Sequence, residues 1–453
     1  MFATTSMQKI LIYNLALRLN VIRFSPILLV FFALSFSTAL FAKSYHIDKV
    51  QFIGLERSQE SWIKEYLNLS CPFTLTETDI LNMEEKLLTS QVFLEAKVYP
   101  KVSQSKRLDL VVQVEEKWTT IPVVRGAFGG GTPLLVAGVY DTHSFGKLWT
   151  LGGEFRKYGD APTGGVVWAR APRWLNGNYY LNFELWQDNR LRSLYKKEDG
   201  FKEIAEIDSR AKMLNFSIRI PSGIDKLNLG LQLSSRTQEP TRVSFPDSSV
   251  DFDISSLKLN TGDNTLNKAL LNIVYDEISI NKLHYNGHRI TLNLGPIFYE
   301  GKVTRLYELE YFYYKFFANK WNFAFHSFIG SASDSSLQNQ KFLGGFDSVR
   351  GLPDGALYGR NAAYSNIELR YLSFKHQKMW IQSVLFADGG FAENQDFSLR
   401  ETWTKSAGIG FRFAVPQINR MMFRIDYAWS LDGSGTQGIT AGMNQFFQPY
   451  KPL

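Results

Sequence analysis

From residue 119 to the end of the chain, apolar and polar residues alternate with a period of two, segment after segment, and helical spacing is absent. Leu227, Leu229, Leu231 and Leu233 share one phase, while Asn228, Gly230, Gln232 and Ser234 take the other. Leu214, Phe216, Ile218 and Ile220 oppose Asn215, Ser217 and Arg219 in the same way, and Phe423, Ile425, Tyr427, Trp429 and Leu431 oppose Arg424, Asp426, Ala428 and Ser430. This is the pattern of antiparallel sheet with one apolar face. Sixteen such segments can be delimited, at 119–127, 133–140, 148–156, 164–170, 178–187, 211–220, 227–236, 268–276, 288–300, 305–316, 321–330, 364–372, 380–388, 405–414, 421–430 and 438–447. Most have the length at which a tilted strand crosses a bilayer, and an even count is that of a bacterial outer-membrane barrel.

Composition narrows the choice. Only 21% of residues are charged, yet mean hydropathy is −0.16, and the chain lacks the several apolar runs of about 20 residues that a multi-helix membrane protein needs. The 35 Phe, 21 Tyr and 10 Trp suit aromatic girdles at two membrane interfaces. A soluble sandwich or propeller alternates similarly, but no blade repeat is visible. Glu184, Arg219, Glu308, Glu310, Glu368, Arg370, Arg412, Arg424 and Asp426 occupy the non-lipid phase, which a wet lumen accommodates. A lysine at Ile425, on the lipid phase, is therefore expected to cost about 2–4 kcal/mol, and one at Asp426 less. The intervals 188–210, 237–267 and 331–363 read as extracellular loops. In the first of them Arg190, Arg192, Lys196, Lys197 and Lys202 accompany Tyr195 and Phe201, which reads as a solvated face rather than a nucleic-acid site.

The first 42 residues contain Lys9, Arg18 and Arg23 and no acid, then an apolar core at 27–36 and a small residue, Ala42, before Lys43. This reads as a cleaved secretory signal, with an uncleaved anchor and an organelle transit peptide as alternatives, and Met7 as a second possible start. Between 43 and 118 the periodicity runs β-α-α-β-β. Trp62, Ile63, Tyr66 and Leu67 lie on one face of the first helix, and Ile80, Met83 and Leu87 on one face of the second. Thr74 with Glu77 fits a capping box at the second helix, with Thr76 as the competing N-cap.

The segment 343–352, which contains Gly344, Gly345, Val349, Arg350 and Gly351, reads LGGFDSVRGL. It resembles the VRGF/Y loop of the superfamily that includes the BamA/TamA assembly factors and the TpsB secretion transporters. Further matches follow in order: 365–370 around Glu368, the FADGG run with Phe386, Asp388 and Gly390, 408–412, and a terminal segment ending in Phe446 and Phe447. Leu352 stands where the family carries an aromatic. The resemblance implies a mainly β fold, a 16-stranded transmembrane antiparallel barrel (119–453) preceded by one βααββ POTRA domain (43–118) and a signal peptide (1–42). It places the barrel in the outer membrane and the POTRA in the periplasm.

The resemblance also implies a role for each motif. The loop folds into the lumen, Arg350 pairs with Asp388 and Glu368, and a charge swap between 350 and 388 is expected to restore what either change loses. The barrel closes between 119–127 and 438–447, and this seam, with Thr120, Val124, Gly126, Gly438, Gly442, Phe446 and Phe447, opens to template a client strand. The POTRA adds a second edge at 93–99. Implied partners are unfolded outer-membrane or secreted polypeptides, the lipid bilayer, and periplasmic chaperones or accessory lipoproteins, with no nucleic acid, metal or cofactor. Assembly is favoured over TpsB-like secretion because no plug helix is read before the POTRA. A passive pore or structural surface protein is the alternative of a different class. Enzyme readings find little footing: His284 and His288 have no third ligand nearby, the run Gly129-Gly130-Gly131 lacks the Lys-Ser/Thr of a phosphate loop, and one cysteine, Cys71, excludes a disulfide framework.

Overall fold

The computed structural model describes residues 44–103, 107–128, 133–174, 179–245, 264–281, 283–345, 347–395, 403–418, 421–443 and 445–449. The signal read at 1–42, the glycines 129–131 and Phe346 lie outside the described residues.

The N-terminal unit contains β1 (Ser44–Ile47), β2 (Lys49–Ile53), α1 (Glu60–Leu67), β3 (Phe73–Thr76), α2 (Glu77–Thr89), β4 (Phe93–Val102) and β5 (Leu108–Glu116). The expected order gains two strands: the first is split into β1 and β2, and β3 is added, pairing antiparallel with β1. The main sheet runs β2-β5-β4, so β4 is an edge strand. Trp62, Ile63, Tyr66 and Leu67 of α1 and Ile80 and Leu87 of α2 are buried in one cluster with Phe93, Leu110 and Val112, and Met83 is partly buried against it. The capping box is Thr76 with Asp79, because the chain is still extended at Thr74, which pairs with His46.

Sixteen strands form the closed wall. They are β6 (Thr120–Phe128), β7 (Leu134–Ser144), β8 (Trp149–Tyr158), β9 (Gly164–Trp174), β10 (Tyr179–Lys196), β11 (Lys202–Pro221), β12 (Leu227–Gln238), β14 (Asn264–Asp276), β16 (His284–Tyr299), β17 (Lys302–Phe317), β18 (Trp321–Ala332), β21 (Asn361–Lys375), β22 (Trp380–Glu393), β23 (Thr404–Ala414), β24 (Met422–Ser430) and β25 (Gln437–Met443). Four short strands lie beside them: β13 (Arg242–Ser244), β15 (Ser279–Asn281), β19 (Lys341–Leu343) and β20 (Leu357–Gly359). Outward residues such as Phe155, Leu214, Leu231 and Ile425 are exposed, while inward Glu368, Arg370 and Arg412 are fully buried.

Two expectations are corrected. The interval 188–210 is not a loop: β10 and β11 stay paired from Tyr180↔Arg219 to Lys196↔Lys202. Alternation persists there because Leu194, Ile204, Ala205 and Ile207 bury against Leu337 and Phe342 of the inner loop. The last strand ends at Met443 rather than at 447. Phe446 and Phe447 leave the wall for the lumen, where they are buried.

The N-terminal unit docks on the near end of the barrel. The Arg57 guanidinium donates to Thr119 Oγ1 (2.5 Å) and Asp141 Oδ2 (2.6 Å), Ser58 Oγ bonds His143 Nε2 (2.8 Å), and the Trp62 ring meets His143 edge-on. On the other side, the Trp118 amide donates to the carbonyl of Gln417 at 3.0 Å. Glu116 accepts from the amides of Arg57 and Ser58, each at 3.0 Å.

Ile425→Lys, on the exposed outward face of β24, should cost about 2–4 kcal/mol at mid-membrane depth, measured by urea unfolding in lipid vesicles. At the junction, burial pushes the Glu116 carboxyl up, but hydrogen bonds from Ser58 and Arg57 outweigh it and hold the group below its ordinary value. A depressed carboxylate stabilises above its unfolded-state pKa, about 4.3, and that contribution fades as pH falls through the folded-state value. Exchange protection of the Ser58 amide should thus be flat near neutrality and fall only in acid, and Glu116→Gln should abolish the acid-dependent part.

Candidate functional site

The loop between β18 and β21 enters the barrel because its backbone is bent by glycines in left-handed conformations. Gly344, Gly345 and Gly351 have φ of +131°, +58° and +86°. A Cβ at Gly344 would lie 2.0 Å from the carbonyl oxygen of Pro353. The turn is fixed by Ser348, whose hydroxyl accepts from the Gly344 amide at 2.7 Å, and by the Gly345 amide donating to the Leu352 carbonyl at 3.0 Å. Val349 and Leu352 are buried with Tyr195, Phe201, Leu343 and Tyr364. The aliphatic Leu352 therefore fills an aromatic-lined pocket of the hairpin extension. Gly390 lets Val349 approach the wall, since a Cβ there would come within 2.9 Å of Val349 Cγ2.

This path delivers Arg350 to the wall with no solvent exposure. Asp388 of β22 is gripped twice: Arg350 Nε donates to Oδ2 (2.8 Å) and Nη2 to Oδ1 (2.9 Å), and the Arg350 amide adds a bond to Oδ2 (3.1 Å). Nη1 donates to Glu368 Oε1 of β21 (2.7 Å) and lies 3.5 Å from Asp426 Oδ2 of β24. Asn366 Nδ2 steadies the arrangement with bonds to the Ser348 carbonyl (2.6 Å) and Asp388 Oδ1 (2.9 Å). The guanidinium carbon sits 3.5 Å from the Phe386 ring centre and 3.8 Å from that of Phe446, an aromatic sandwich in the barrel interior.

Both acids expected from the sequence are in contact with Arg350, and the set is larger than expected. Arg412 bonds Asp426 Oδ1 (2.6 Å), Glu368 Oε1 (3.2 Å) and Gln445 Oε1 (3.2 Å). Arg370 bonds Glu368 Oε2 at 2.7 Å and reaches the Phe447 carbonyl at 3.4 Å, and Arg424 lies 3.4 Å from Asp426 Oδ2. Four guanidiniums thus share three carboxylates. Their common inward phase was visible in the sequence; their convergence across β21 to β24 required the register Glu368↔Phe386 and Arg412↔Arg424.

Two expectations change accordingly. Asp426→Lys would put a fifth cation into this cluster, so it is not the mild substitution that a wet lumen implied. A swap of 350 and 388 would leave an aspartate at position 350 facing Glu368 and Asp426, so pairwise restoration is not expected.

The seam is the second part of the site. Among the described residues β25 and β6 meet at three pairs, Ile439↔Phe128, Thr440↔Ala127 and Ala441↔Gly126, and β24 and β25 at seven. Below Gly126, the segment from Thr120 to Arg125 pairs with β7 but has no strand partner on its other side among the described residues. The Val124 amide faces the Met443 thioether at 3.4 Å, a weak acceptor. Gly438 and Gly442 are paired with β24, and Phe446 and Phe447 are not at the seam.

Residues 170–447 match the Omp85 superfamily domain. Among solved structures, the chain is similar to BamA from Haemophilus ducreyi lacking POTRA domains 1–3 (13% identity, 88% of this chain and 84% of that one, TM-score 0.53). It is also similar to CdiB from Acinetobacter baumannii (14%, 88% and 74%, TM-score 0.60) and to CdiB from Escherichia coli (12%, 90% and 92%, TM-score 0.51). No curated protein is matched by sequence.

Arg350→Ala strands Asp388, whose strongest donors it removes, and should lower stability by about 3–5 kcal/mol if the site is dry, less if water enters. Arg350→Lys supplies charge but neither the bidentate fork nor the planar stack, and should recover under half of that loss. Heat-modifiable gel migration against urea concentration would measure both.

Proposed function

The chain belongs to the Omp85 superfamily, and we propose that within it this protein acts as an outer-membrane assembly factor of the BamA/TamA type. In this reading the N-terminal unit is a periplasmic POTRA domain, and clients are unfolded outer-membrane polypeptides. One observation carries the proposal: among the described residues, the β6 edge at 120–125 has no strand partner on the seam side, below the pairs at 126–128. Unpaired strand edges are templates for another chain. A client strand aligned on β6 would offer the Val124 amide a backbone carbonyl in place of a thioether, and would exchange its own hydrated backbone for a ladder. The β4 edge of the N-terminal unit offers a second site for strand addition. No bond chemistry is needed. The loop cluster ties β21 to β24 together, four of the sixteen wall strands, so that when the seam parts, the break is confined to the β25–β6 boundary.

The test closes the seam covalently. Ala127→Cys with Thr440→Cys, directly opposed residues, is made in a Cys71→Ser background to remove the exposed native thiol. The oxidised form should lose insertion of newly synthesised barrels into vesicles and regain it on reduction; full activity while locked would sink the mechanism. In cells, quantitative mass spectrometry after depletion should show loss of several unrelated barrels. Loss of a single secreted polypeptide would point instead to a TpsB-like transporter.

A further inference from the structure

On the outward face of β8 to β12, apolar residues give way to polar ones at the barrel end far from the N-terminal unit. The change falls between Phe155 and Lys157 on β8, Leu185 and Gln187 on β10, Leu214 and Lys212 on β11, and Leu233 and Ser235 on β12. That line marks the membrane interface, since the hydrocarbon core tolerates the first member of each pair and not a lysine.

At this line the wall is hollowed. Gly153 and Gly165 present no side chain outward, and Val139, Phe155, Val167, Leu185 and Leu214 surround them, making a groove of about 1040 Å³. Its walls are among the most exposed apolar residues of the barrel, with Phe155 at 71% and Val167 at 54%. In a bilayer such a trough is filled by acyl chain. Its far rim is made by Thr163, Gln187, Lys212, Ser235 and Thr237. Lys212 is exposed and makes no ion pair among the described residues, and its strand partners are Gln187 and Thr237. Lys157 lies at the same level and donates to the Ala161 carbonyl. Beyond the rim the outward acids are Asp208, paired with Arg210, Glu206, which accepts from Ser244, and Glu239 near Arg210, while Glu154 points into the lumen, where Arg125 takes it. The groove therefore joins an apolar trough to a lysine that has no ion-pair partner among the described residues, one step on the membrane side of the outward acids.

We propose that this groove binds one net-anionic, phosphate-bearing lipid of the outer leaflet, with an acyl chain along Gly153 and Gly165 and its phosphate on Lys212. The leaflet assignment rests on the periplasmic placement of the N-terminal unit; the binding itself does not depend on client insertion, so the two readings fail separately. The occupant follows from charge and depth: a zwitterionic lipid would satisfy the trough but place its own cation beside Lys212.

Native mass spectrometry of the full chain in detergent, titrated with bis-phosphorylated lipid A or with dioleoylphosphatidylcholine, tests this. Wild type should retain one lipid A at concentrations where phosphatidylcholine is lost. Lys212→Glu should reduce the bound fraction at least fivefold. Gly153→Phe, which fills the trough where an added Cβ would lie 3.3 Å from Val167 Cγ1, should do the same without changing charge. Lys302→Glu, an exposed cation at the start of β17, should leave binding intact. Folding of each variant is checked by heat-modifiable migration. Equal retention of lipid A by wild type and both groove variants, or phosphatidylcholine held as tightly as lipid A, would overturn the proposal.

Discussion

A fully buried guanidinium is the constraint around which this barrel is organised. Removing Arg350 from water is costly, and the cost is offset only if its donors meet acceptors in fixed geometry. The wall provides this from three strands at once, through Asp388, Glu368 and Asp426. Two of those acids are also needed elsewhere: Glu368 by Arg370 and Arg412, Asp426 by Arg412 and Arg424. The cluster is thus a network and not a pair, and its members cannot be exchanged two at a time.

The same network explains the end of the chain. Four cations over three carboxylates leave positive charge to be accommodated by weaker partners, and residues 445–447 supply them. Gln445 accepts from Arg412, Phe446 covers Arg350 and Arg424, and Phe447 lies over Arg370 and lends it a carbonyl; outside the network, the Pro449 carbonyl takes Arg289 at 2.9 Å. A segment that serves the lumen cannot also lengthen β25. The open edge of β6 at 120–125 is therefore the other face of the cluster's charge imbalance: whatever strengthens the hold on Phe446 and Phe447 keeps that edge free.

Much of this was legible in the sequence, for identifiable reasons. A period of two survives even where a strand leaves the membrane, so the sixteen wall strands could be counted. The same persistence concealed the extension of β10 and β11, because charged residues such as Arg190 and Arg192 look like loop residues until something hydrophobic is seen to cover their neighbours. Arg350, Glu368 and Asp388 could be paired because they lie in a recognisable motif. Asp426 and Arg412 could be placed on the inner face but not at the arginine, since the stagger between strands decides which inward residues meet. The inward turn of Phe446 could not be seen at all: its alternation with Thr440 and Gly442 continues the strand pattern, and only a distant guanidinium pulls it away.

The N-terminal unit bears on the seam through its points of attachment. Arg57 and Ser58 hold Asp141 and His143 at the end of β7, one strand beyond the seam on the β6 side. Trp118 holds the turn between β23 and β24 through Gln417 and Ile418, one strand beyond it on the β25 side. The two attachments are joined covalently through β5 and its packed helices, and they straddle the β25–β6 ladder, the wall ladder with the fewest pairs among the described residues. Separation of β25 from β6 at this end of the barrel then requires one attachment to be released or the unit to turn with its half of the wall. On the β7 side the contacts include the Arg57–Asp141 ion pair, whereas on the other side Trp118 contributes the backbone bond of its bridge to Ile418, and α2 lies against β15. The Trp118 contact and the Arg57–Ser58 contacts thus bracket the β25–β6 boundary from opposite sides of the wall.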